Sequence, residues 1–121
     1  MPHDFLQYTA RRPRYQAREA SPARLEVRRL AGKQPSLIAA ELVDFSRSGF
    51  RLRLAAPVEV KENLSIELHV EQSQSPWQFP ATVRWQRAEG SQSWLVGCQA
   101  QSEVDWETLG ELFLRGILST D

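Results

Sequence analysis

The chain of 121 residues is short of several things at once. It has one cysteine, two histidines, no net charge and no apolar run of membrane-spanning length. Each shortage removes a class of function. A single thiol, Cys98, makes no internal disulfide and has no second cysteine at metal-ligand spacing, which fits a reducing compartment and a small core residue. The opening MPHDFLQYTARR lacks the basic-then-apolar order of a secretory signal. A soluble, cytoplasmic protein without membrane insertion is therefore expected. Zero net charge supplies no global field to recruit a polyanion, so no nucleic-acid partner is expected, even with Trp85 or Trp94 on hand as a stacking platform. Catalytic motifs are absent too. Ser46 lacks the flanking glycine of a nucleophile elbow, and the chain contains no HExxH and no glycine-rich phosphate loop opening a helix. His3 lies in the N-terminal stretch, and His69 falls on the polar face of a strand beside Glu67 and Glu71, a pattern that an ordinary wet strand face shares with a metal clasp. No catalytic residue, metal or cofactor is expected, and the protein does not read as an enzyme.

What is present is periodicity. At 41% hydrophobic the chain holds enough apolar surface for one domain with a real core. From Arg24 onward the period is two: Leu25 and Val27, then SLIAAELVDF, then Phe50, Leu52 and Leu54 alternating with Arg51 and Arg53. Further strands run through Leu64, Ile66, Leu68 and Val70, through FPATVRWQR, and through SWLVGCQAQ. Six short strands with short connections predict an all-β fold, a small antiparallel barrel or sandwich, of which the six-stranded antiparallel β-barrel is the expectation adopted. The period then changes. Trp106, Leu109, Leu112, Phe113 and Ile117 fall at helical spacing across residues 104–118, with Ser102 and Asp105 as a capping box, and predict a C-terminal amphipathic α-helix docked on one mouth of the barrel. The four tryptophans are expected to be packing residues, with Trp77 the exposed one.

The first residues fit neither period. TARRPRYQAREASP carries four arginines, two prolines and little apolar content, the composition of a flexible arm. The expected organisation is thus a basic arm over residues 1–23 and a barrel with its helix over 24–121. Between the second and third strands stands DFSRSG, residues 44–49. Asp, Ser and Gly are what a tight turn would select on its own, so a hairpin turn accounts for this stretch locally.

The combination says more. An Arg-rich arm, a six-stranded barrel, D-x-S-x-x-G between its second and third strands, then ATVRW, WLVGC and a terminal amphipathic helix together resemble the PilZ domain family along nearly the whole chain. The family's R-x-x-x-R element is matched by Arg14 and Arg18, and its second element by Asp44, Ser46 and Gly49. When RYQA is set against the usual context instead, Arg14 becomes the second arginine, with Arg11 and Arg12 near the first. The resemblance implies a receptor for the bacterial second messenger cyclic di-GMP, with Arg11, Arg14, Arg18, Asp44, Ser46 and Gly49 as ligand-binding residues. The chemistry is consistent. Arginine forks pair with phosphates or with guanine O6 and N7, a carboxylate accepts from guanine N1 and N2, and a hydroxyl adds one bond. The resemblance further implies an unidentified effector protein that reads an ordered arm. The alternative from another class is a PilZ-like adaptor that binds no nucleotide and acts through protein contacts.

Overall fold

The computed structural model describes residues 14–17, 23–31, 36–70 and 75–119. They form strands β1 (Tyr15–Ala17), β2 (Ala23–Arg29), β3 (Ser36–Phe45), β4 (Gly49–Leu54), β5 (Asn63–Val70), β6 (Trp77–Ala88) and β7 (Trp94–Ala100), helix α1 (Trp106–Leu114) and strand β8 (Leu118–Ser119). Strands β2, β5, β6, β7, β4 and β3 pair in that order, all antiparallel, and the β2–β3 pairing closes the ring. This is the expected six-stranded barrel. Its interior is filled by the inward residues of each strand, among them Val27, Leu52, Leu64, Ile66, Val83 and Val96, all essentially without exposed surface. Phe45, Phe50 and Phe79 form an aromatic cluster with centroids 4.9 to 5.6 Å apart. Cys98 is buried, and desolvation pushes its thiol up to about 12.

Two further strands lie outside the ring. β3 pairs with β2 only as far as Leu25↔Ala40, then leaves it and pairs with β1 through Tyr15↔Phe45 and Gln16↔Asp44. β1 in turn pairs with β8. Three residues of the stretch expected as an arm are therefore strand. The reason is one side chain: Tyr15 packs edge-on against Phe113 of α1, with ring centroids 4.9 Å apart, giving this polar stretch an apolar anchor.

The helix is shorter than its apolar spacing predicted. Asp105 is the N-cap, its carboxylate accepting from the Thr108 amide at 2.7 Å, and Ser102 takes no part in that cap. Gly116, at φ 75°, ends it. The amides of Gly116 and Ile117 donate to the carbonyls of Phe113 and Leu112, the pattern of a Schellman motif, which a residue with a side chain adopts poorly. Leu109 and Leu112 are buried, whereas Ile117 reaches the core from beyond the helix.

Candidate functional site

The loop between β3 and β4 is closed by Ser46. Its amide donates to the Gly49 carbonyl at 2.8 Å, and its Oγ accepts from the Gly49 amide at 3.1 Å and the Ser48 amide at 3.3 Å. Gly49 is required by the neighbouring strand: a Cβ there would stand 2.6 Å from the Cys98 carbonyl oxygen on β7. Both residues thus have structural work in the hairpin.

Asp44 does not. A strictly alternating β3 would put it on the same face as Ile38, Ala40 and Leu42, pointing into the barrel. Instead the register shifts between Leu42 and Asp44: Leu42 pairs with Leu52, Val43 is the extra residue, and Asp44 pairs with Arg51. This bulge reverses the parity, sending Phe45 inward to Phe50 and Asp44 outward to Arg51. There Asp44, with no exposed surface, lies between two guanidiniums. Arg14 Nε donates to Oδ1 at 2.8 Å, Arg51 Nε donates to Oδ2 at 2.7 Å, and Arg51 Nη2 also donates to Oδ2. Arg14 Nη1 lies 3.5 Å from Ser46 Oγ. The hydrogen bond to Asp44 raises the Arg51 guanidinium further above its ordinary range, against the opposing effect of burial. The two side chains are 38% and 41% exposed, so a carboxylate held in the wall displays two arginines side by side at the surface.

A second bulge, between Val83 and Trp85, acts in the same way on β6. Val83 pairs with Cys98, Arg84 is the extra residue, and Trp85 pairs with Gly97. Trp85 therefore faces outward, 40% exposed, with its indole lying across Gly97, where a Cβ would come within 2.2 Å of the ring. Because Arg51 pairs with Gly97, one row crosses the barrel wall: Gln16, Asp44, Arg51, Gly97, Trp85. A cavity of about 510 Å³ opens beside it where β3 leaves β2, lined by Leu25, Ala40, Leu42, Val43 and Arg53 among others.

Of the sequence-predicted site residues, the structure brings together Arg14, Asp44 and Ser46, with Gly49 completing the loop; Arg11 and Arg18 lie outside the described residues. Arg51 and Trp85 were not singled out for the loop site by sequence. Arg51 was accessible in principle, since a hairpin whose last pair is Phe45↔Phe50, with residues 46–49 between, sets it opposite Asp44. Trp85 was not, because a bulge inverts the alternation on which the reading depended. The expectation that Trp77 is the exposed tryptophan is also corrected: Trp77 is partly buried with the Arg115 guanidinium 5.6 Å from its ring, while Trp106 is 64% exposed. On the far face, Glu67 accepts from Arg28 Nε at 2.9 Å and His69 Nε2 lies 3.1 Å from Glu26, so the strand face considered for a metal commits Glu67 to an arginine; Glu71 lies outside the described residues. Among the described residues no group of His, Cys, Asp and Glu is arranged to hold a metal ion, and no helix is long and apolar enough to cross a membrane.

The model of the PilZ domain matches residues 10–115. The chain belongs to the PilZ domain family. Among solved structures, this PilZ chain is similar to K. pneumonia MrkH in its complex with c-di-GMP, with a TM-score of 0.62, 17% identity, and coverage of 86% of this chain and 52% of that one. It is similar also to a structure of MrkH described as a c-di-GMP-dependent transcription regulatory factor, with a TM-score of 0.60, 17% identity, and coverage of 86% and 51%. The PilZ chain thus spans about half the length of the MrkH chains it resembles. No curated protein matches its sequence.

Proposed function

We propose that this chain is a cyclic di-GMP receptor whose binding surface is Arg14 together with the outward row from Asp44 to Trp85. The observation that carries this reading is the buried Asp44 carboxylate holding the Arg14 and Arg51 guanidiniums at the surface, more than a third exposed. Two forks fixed side by side suit a ligand with two phosphates and two guanine edges, because their orientation is settled before the ligand arrives. Trp85, in the same row, offers a flat apolar face next to Arg51. Family membership and the likeness to MrkH with c-di-GMP support the choice of ligand. Arg11 and Arg18 complete the cationic set, and the arm orders over the nucleotide to present a surface to an effector protein. Since Tyr15–Ala17 is already paired between β3 and β8, that ordering concerns the residues on either side of β1.

A second reading draws on the same carboxylate. Asp44 already accepts from both arginines, an arrangement complete without any ligand, as an adaptor that binds no nucleotide would have it. Calorimetric titration with cyclic di-GMP separates the two. Saturable binding near 1 μM, about −8 kcal/mol, is expected, with little response to GMP or ATP at the same concentrations. No heat at a hundredfold excess over that range would leave the adaptor reading.

A further inference from the structure

Arg47, in the middle of the hairpin loop, is turned away from the row and grips the start of α1. Its Nε donates to the Val104 carbonyl at 2.7 Å, the Val104 amide donates back to the Arg47 carbonyl at 2.8 Å, and its guanidinium stacks 4.0 Å from the centre of the Trp106 ring. The Ala100 amide donates to the Ser48 carbonyl at 2.8 Å, so two successive loop residues are tied down, Arg47 to the residue before the helix cap and Ser48 to the end of β7. Asp105, between Val104 and Trp106, caps the helix. Its carboxyl is held below the ordinary range by the Thr108 amide and, in smaller measure, by the charge of Arg47. The far end of α1 meets the other half of the row: Tyr15, next to Arg14, packs on Phe113, and β1 pairs with β8 just beyond the helix. Both segments that carry the candidate binding side chains therefore end on α1.

We propose that Arg47 is a positioning residue coupling the 46–48 loop to the first turn of α1, so that a nucleotide held at Asp44 and Ser46 is reported at Trp106. Movement of the loop backbone pulls on Val104 through both hydrogen bonds, and Val104 directly precedes the cap residue Asp105. Trp106 is a surface side chain, so a change in its seat changes what the domain presents to solvent. The mechanical link stands without a ligand; the reporting step rests on the nucleotide reading above.

The link is tested first in the ligand-free protein by amide hydrogen exchange, using the reciprocity that any coupling obeys. Arg47→Ala is expected to speed exchange of the Thr108 amide about tenfold, and Trp106→Ala to speed exchange of the Ser46 and Gly49 amides by a comparable factor, with Val83 and Ile66 unchanged. Trp106→Ala leaving the loop amides at wild-type rates would overturn the coupling, because a merely local role for Arg47 predicts that result. The second arm adds cyclic di-GMP and follows the four indole N–H resonances, with Trp106 assigned by Trp106→Phe. The wild type is expected to shift the Trp106 resonance at saturation, and Arg47→Ala to retain affinity within about threefold while losing that shift. Nucleotide binding with no movement of Trp106 in the wild type would refute the report. An absence of binding heat would refute the nucleotide reading and leave the exchange result to decide the link alone.

Discussion

Asp44→Ala separates the structural from the recognition role of the central carboxylate, because the two agree on simple anions and predict opposite signs for cyclic di-GMP. The substitution removes the acceptor of three charge-assisted hydrogen bonds from Arg14 and Arg51. A fully buried ion pair broken on one side costs about 3–5 kcal/mol through the charge left stranded. Here both guanidiniums are more than a third exposed and rehydrate, so the cost is smaller, about 1.5–3 kcal/mol. For a domain of this size that is a fall of about 5–12 °C in melting temperature with cooperative unfolding retained. Removing the negative charge also leaves two unneutralised arginines. At a surface-like dielectric this favours an anion a few ångströms away by on the order of 1 kcal/mol. Inorganic phosphate should therefore bind Asp44→Ala several-fold more tightly than it binds the wild type. Cyclic di-GMP should bind it at least tenfold more weakly, because the arginines lose their fixed orientation and the guanine donors lose their acceptor. Calorimetry with both ligands, well below the melting transition, reads the two signs. If both affinities rise, Asp44 is only a counter-ion, and the argument that it builds a guanine-reading site fails. An unchanged melting temperature would mean that the ion pairs seen here do not form in solution.

Other expectations follow from single contacts. Gly49→Ala forces a Cβ against the Cys98 carbonyl, a backbone atom that cannot swing aside, and should cost about 2–3 kcal/mol by thermal melting, whereas Gly97→Ala first meets the Trp85 indole, a side chain that can, and should cost less while shifting that tryptophan's emission to the red. The Cys98 thiol, buried and pushed up to about 12, should react with a disulfide reagent at pH 8 only as fast as the protein unfolds; rapid labelling in the native state would show that the β4–β7 wall opens locally. Glu62 is bonded at both oxygens by Arg29, at 2.7 and 2.8 Å, and chiefly this holds its carboxyl below the ordinary range. A depressed carboxylate stabilises above its unfolded value and loses that contribution as pH falls through its folded value. Glu62→Gln should therefore destabilise by about 1–2 kcal/mol at pH 7 and by less at pH 3, the penalty shrinking as pH falls through the folded value. An equal penalty at both pH values would assign the effect to packing instead.

The barrel was legible because its six ring strands keep period two over most of their length, and SLIAAELVDF is the span of β3 residue for residue. What failed to show had local causes. The end of α1 was signalled by Gly116, but the apolar spacing of Ile117 and Leu118 carried the predicted helix past it; in the fold those residues are buried as a Schellman contact and as β8. β1 was hidden by averaging, since four arginines and two prolines outvote one tyrosine in any count of composition, although that tyrosine is what fixes the strand. Both bulges were invisible for a deeper reason. Alternation predicts a face only while each residue has one partner, and a single inserted residue reverses every face after it.

That reversal also bears on the proposal that DFSRSG is a binding loop as well as a turn. Ser46 closes the turn with its own hydroxyl, and Gly49 is demanded by the carbonyl of Cys98, so for these two residues the hairpin is a sufficient cause. Asp44 has no such account. Among the described residues its oxygens meet no loop amide and accept only from Arg14 and Arg51. Had β3 run on without the bulge, Asp44 would face the barrel interior opposite Phe50, where a carboxylate is untenable. Moved to the outer face but still without exposed surface, it bears a desolvation cost that an apolar pair at this position would avoid. A bulge that turns one carboxylate outward, and then two arginines that hold it there half in water, is an arrangement that stability alone does not require. Its remaining product is the pair of oriented guanidiniums, and these are what a doubly phosphorylated ligand would need.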